Sequence, residues 1–160
     1  MYIDGLLLFD TASSLAGSTS TDSANVIDLS VQRDVGVGQY PLRLVVQVTT
    51  AFSSSSTSNT LQVRFQGSTA STSSGYVTLA ETPALTAAQI GLATTGQRLF
   101  DIDAPPPPLV LNGLAPRYLR LNYLTAGVTA GWSAGAVTAM IVLDRQDSSP
   151  TYPPGIAIQN

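Results

Sequence analysis

Hydroxyls and carboxylates carry most of what chemistry this chain can offer. Histidine and cysteine are absent from all 160 residues. That removes the commonest general base near neutral pH and every disulfide or thiolate metal site. Serine is plentiful, but a nucleophilic serine needs an adjacent base, and the chain has neither His nor Lys to supply one. Glu81 is the single glutamate, so glycoside hydrolysis would need two aspartates flanking the bond. Asp101 and Asp103 alternate on a strand and share a face, where they could hold Ca²⁺ with nearby carbonyls. The commoner role of such a pair is to cap a solvated turn. Gly36-Val-Gly38 lacks a third glycine and a following helix, so it does not indicate a nucleotide site. Trp132, in a Gly/Ala-rich turn, could stack on a sugar, but packing over the end of a core or into a subunit contact is the better reading. The expectation is no catalytic residue, no metal, no cofactor and no enzyme.

The elements that must position these groups read as strands. Period-2 alternation marks about eight candidates, near residues 4–9, 26–30, 42–49, 61–66, 76–80, 98–103, 117–124 and 136–143. In Arg117–Leu124, Leu119, Leu121 and Tyr123 face one way, and Tyr118, Arg120 and Asn122 the other. Leu61, Val63 and Phe65 alternate with Gln62, Arg64 and Gln66. Strands 42–49 and 136–143 carry apolar residues on both faces (Val45; Met140 and Val142), as expected of central strands or strands covered by a partner. Leu85–Leu92 shows a faint helical pattern with Thr86 as a possible N-cap, enough for one turn. Thr11–Asn25, Ser53–Thr60 and Gly67–Gly75 read as polar loops.

This spacing predicts an all-β fold: a two-sheet antiparallel sandwich, a jelly roll before an immunoglobulin-like one, because the Cys…Trp…Cys spacing is missing. One domain would span residues 1–146. Pro105–Pro108 would form a stiff polyproline rod of about 12 Å across one end. Residues 147–160 would form an extended proline-rich arm with Tyr152, Ile156 and Ile158 as apolar anchors.

Composition narrows the function classes. Charged residues make up 11%, against a usual share of about 25%. Ser and Thr must cover the surface instead. All seven basic residues are Arg, the cation preferred at protein interfaces, although a GC-rich genome would give the same bias. Net charge is −3 without any basic run, which argues against nucleic-acid binding. No stretch reaches the ~20 apolar residues of a membrane helix, and the first ten residues do not read as a signal peptide. A protein kept in the cytoplasm where it is made is expected.

Four segments together resemble a known group: Asn25–Ser30, Arg33–Gly38 with Leu42–Phe52, Arg117–Tyr123 and Ala134–Asp144. They look like the capsid cement, or decoration, proteins of short-tailed bacteriophages. The resemblance implies a jelly-roll homotrimer on the virion, assembled in the host cytoplasm. It would sit outside the icosahedral shell at local threefold positions and clamp neighbouring major capsid subunits. It implies no catalytic residues. Candidate interface residues are Val45, Met140 and Val142, whose outer positions would otherwise form an exposed apolar patch, together with Trp132, Tyr152, Ile156 and Ile158. The competing readings are a carbohydrate-binding jelly-roll module and a tail-fibre or spike fragment. The first should show an exposed aromatic row, whereas aromatics are few, at 7%. The second should show a repeat or a helical stem.

Overall fold

The alternating segments pair as antiparallel strands in the computed structural model, which describes residues 7–17, 20–31, 42–90, 95–103, 115–127 and 131–143. In chain order the strands are β1 (Leu8–Ser14), β2 (Ser20–Asp22), β3 (Ile27–Asp28), β4 (Leu42–Ser53), β5 (Thr60–Ser68), β6 (Val77–Glu81), β7 (Leu85–Thr86), β8 (Arg98–Asp103), β9 (Tyr118–Ala126) and β10 (Ala134–Leu143). One sheet has the order β1-β10-β4-β8. The other runs β2-β9-β5-β6, with β3 also on β9 and β7 also on β5. The chain thus crosses repeatedly from one sheet to the other, giving a jelly-roll-like sandwich. The two strands with apolar residues on both faces, β4 and β10, are the central pair of the four-stranded sheet.

The inner faces meet as the alternation requires. Leu44, Val46 and Val48 of β4 and Val137, Ala139 and Ile141 of β10 face Leu61, Val63 and Phe65 of β5 and Leu119, Leu121 and Tyr123 of β9, all in one buried cluster. Phe9 meets Phe65 edge to face, with centroids 6.2 Å apart. Each such side chain contributes roughly 1.5–3 kcal/mol by leaving water. The single helical turn, α1 (Ala87–Ile90), starts where expected. Gln89 accepts hydrogen bonds from the Thr86 N–H (2.9 Å) and hydroxyl (3.1 Å), as in half of a capping box.

The polar segment Thr11–Asn25 departs from the expected loop: it holds the second half of β1 and all of β2. Hydroxyl side chains pair with neighbouring strands as well as with water, and Thr138 Oγ1 accepts the Ala12 N–H at 3.1 Å. Two irregularities in the β1–β10 register and the positive φ of Ala12 (52°) break the period-2 signal there. The proline rod, the glycine pair Gly36/Gly38 and the arm 147–160 lie outside the described residues.

Candidate functional site

The residues singled out for contact divide between two ends of the sandwich. Val45, Met140 and Val142 lie on the outer face of the four-stranded sheet, where Val45 pairs with Met140 and Met140 with Leu8. The expected exposed patch is not there. The three are 6%, 2% and 6% exposed and form their own small cluster with Leu8. Beside them, Arg43 pairs in register with Val142. Its Nε meets Asp101 Oδ1 at 2.6 Å, its Nη2 donates to the Asp101 carbonyl at 2.9 Å, and its side chain is only 14% exposed. A guanidinium held flat in this way leaves its aliphatic stem to cover apolar neighbours.

Asp101 is therefore no open calcium ligand. Its second oxygen meets Arg98 Nη1 at 2.8 Å. Burial pushes this carboxyl up, but the Arg43 and Arg98 guanidiniums outweigh that and hold it below its ordinary value. Asp103 pairs across from Arg43 in the ladder. Among the described residues no group of three or more His, Cys, Asp or Glu side chains could hold a metal ion.

The outer face of the six-stranded sheet is polar throughout its centre. Arg120 Nη1 meets Asp22 at 2.8 Å, its Nε donates to Gln66 at 2.9 Å, and its guanidinium lies 4.0 Å from the Tyr76 ring centroid. Asn122 donates to both Ser20 and Asp22. Arg64 meets Glu81 at 3.3 Å, and Arg117 takes both oxygens of Asp28 at 2.8 and 2.9 Å. That fork holds the Asp28 carboxyl below its ordinary value. Every arginine among the described residues is thus ion-paired: Arg43, Arg64, Arg117 and Arg120 to acids on other segments, and Arg98 to Asp101 of its own strand. These five arginines rivet the sheets they lie on, a use that composition alone did not indicate.

A fully buried carboxylate, Asp10, ties the two sheets together. It accepts the Tyr123 hydroxyl at 2.6 Å and the Ala24 N–H at 2.8 Å. Burial, with the Asp10 charge beside it, pushes the Tyr123 hydroxyl well above its ordinary range. The register shift in β1 next to Asp10 interrupts the alternation that would otherwise have flagged an inward-facing acid.

Trp132 sits near the far end of β4. Its ring packs edge to face on Phe52, with centroids 5.2 Å apart, and it is 1% exposed. Gly135, at φ +145°, brings β10 so close to Phe52 that a Cβ there would lie 2.3 Å from its ring. A buried indole cannot offer its face to a sugar stack, so packing over the end of the core is its role. The same residues border a hollow of about 290 Å³, lined by residues 52–57, Ala87, Ala88 and Trp132. Tyr152, Ile156 and Ile158 lie outside the described residues.

The family model of Bbp16 matches residues 11–141, covering nearly all of the sandwich. The chain belongs to the Bbp16 family. Membership fits, in a loose sense, the phage structural proteins that the strand pattern resembles, and it specifies no position on a shell. No curated protein matches the chain.

Proposed function

We propose that this Bbp16-family protein is a capsid decoration protein, a binding body rather than an enzyme. It would clamp adjacent major capsid subunits from outside the shell, as a homotrimer at local threefold positions, having been assembled with the virion in the host cytoplasm. The observation that carries the reading is the arginine network on a jelly-roll-like frame. Four guanidiniums pair with acids on neighbouring segments, a fifth, Arg98, shares Asp101 with Arg43, and Asp10 bonds one sheet to the other. The arginine pairs stiffen each sheet and the Asp10–Tyr123 bond couples the two, as a cross-link between shell subunits requires. Its surface also suits close packing against neighbours, being rich in hydroxyls and poor in charge.

Several modest contacts made at once reinforce one another, so the clamp needs no single strong site. The arm 147–160 would add grip through Tyr152, Ile156 and Ile158. With Val45, Met140 and Val142 packed within the chain, the shell contact falls to the arm and the polar rims. No role with nucleic acid or membrane is proposed, and no helix among the described residues is long and apolar enough to cross a membrane.

The test is to add purified protein to shells lacking it and to measure co-sedimentation, electron-microscopic occupancy and shell rupture temperature. Saturable binding at threefold positions with a raised rupture temperature is expected, weakened by deletion of residues 149–160. No co-sedimentation at micromolar concentration, or a monomer in sedimentation equilibrium, would count against the clamp and the trimer respectively.

A further inference from the structure

The hollow at the Trp132 end is built from a preorganised turn. Ser54 Oγ accepts the Ser56 N–H at 3.1 Å and donates to the Ser56 carbonyl at 2.9 Å. The Asn59 amide donates to Ser54 Oγ at 2.8 Å and to the Gly131 carbonyl at 2.6 Å, fixing the turn to the residue before Trp132. Ser133 donates twice to the Ser53 carbonyl, through N–H (2.9 Å) and hydroxyl (3.0 Å). The backbone is therefore held while several lining groups stay unused. Among the described residues, the hydroxyls of Ser53, Ser55 and Thr57 have no hydrogen-bond partner. Trp132, a lining residue, keeps a buried indole N–H with no partner.

No charged or titratable side chain lines the hollow. Phe52, Ala87 and Ala88 supply apolar surface opposite groups that both donate and accept. At about 290 Å³ it lies at the small end of ligand pockets, which run from roughly 300 to 1,000 Å³.

We infer that this hollow binds one neutral sugar ring, edge-on, as a function separate from shell binding. The ring's hydroxyls meet Ser53, Ser55 and Thr57, and its C–H edge meets Phe52 and the alanines. This is hydrogen-bond recognition within a pocket, unlike the face stacking that the burial of Trp132 rules out.

Trp132 is the chain's single tryptophan, so its fluorescence reports on the site directly. The full-length protein is titrated with the methyl glycosides of glucose, galactose, mannose and N-acetylglucosamine. Emission is followed together with saturation-transfer NMR on the sugar. At least one glycoside should bind saturably at ~1 mM, with no salt dependence. The exposed pair Ser55→Ala and Thr57→Val should weaken it about five- to tenfold without changing the unfolding midpoint. Absence of transfer to every glycoside at roughly a hundred times that concentration overturns the assignment. So does binding that the double variant leaves unchanged, or transfer to an uncharged peptide but to none of the sugars. Shell binding by the double variant stays intact in either case, which keeps this test separate from that of the clamp.

Discussion

The two outer faces of the sandwich solve the same problem differently. On the six-stranded sheet, Arg64, Arg117 and Arg120 are spread along the strands and paired with Glu81, Asp28 and Asp22. On the four-stranded sheet, Arg43 and Arg98 converge on one acid, Asp101, beside an apolar island of Val45, Met140 and Val142. The acids of these dispersed pairs are 43–52% exposed, against 23% for Asp101. Water therefore screens the pairs, and they hold register at little energetic weight, even where the guanidinium of Arg120 is itself covered. A convergent, half-buried triad next to packed side chains is a stability element. The difference teaches that counting charges on a face says less than asking how far each is removed from water.

The strongest way to break this contrast is Met140→Ala. If the outer island is packed like core, urea unfolding should show a loss of about 2–5 kcal/mol. A loss under about 1 kcal/mol would show that the island is loosely covered and behaves as surface.

Next comes Asp101→Asn, which leaves two guanidiniums competing for a neutral amide and should cost about 1–3 kcal/mol. The pH dependence sharpens the point. Because the carboxyl of Asp101 is held below its ordinary value, its stabilisation is complete above the unfolded value and is lost as pH falls through the lowered one. The urea midpoint of the native protein should therefore decline from about pH 4 downward, and Asp101→Asn should flatten that decline. Asp28 is also lowered, by Arg117, but its side chain is 43% exposed against 23% for Asp101, so Asp28→Asn should flatten the acid limb less. An equal effect of the two substitutions would erase the distinction between the faces. At the other end of the scale, Tyr123, raised by burial, favours the folded state below its ordinary value near pH 10 and loses that advantage as pH climbs further.

The smallest effect is expected from Arg64→Gln on the dispersed face, within about 0.5 kcal/mol of the parent. A loss several times larger would mean that this ladder, too, is a stability element.

Much of the frame was legible because burial on one face imposes a period of two. β4, β5, β9 and β10 announce their inner residues through Leu44, Leu61, Leu119 and Val137, and β8 was bounded at 98–103. What was missed lies where polar side chains do structural work. The hydroxyl-rich end of β1 reads as loop because Thr and Ser serve strands and turns alike. The inward Asp10 is hidden by a bulge, and the arginine partners sit on strands distant in sequence, which no spacing reveals. The hollow beside Trp132 arises from three segments brought together by the fold, so a single aromatic in a turn was its only trace.

One topological detail bears on how the molecule comes into being. β10 stands between β1 and β4, and Ala12 and Thr138, bonded across that seam, are 126 residues apart. The middle of this sheet is therefore synthesised after both of its neighbours, and pairing between such distant segments is slow, on the scale of milliseconds to seconds. While the nascent chain waits, β1 and β4 present open strand edges that invite pairing with other chains. Closure by residues 134–143 then acts as a completeness check. A copy interrupted before that strand cannot form the four-stranded sheet at all, so only chains extended through residue 143 can complete it.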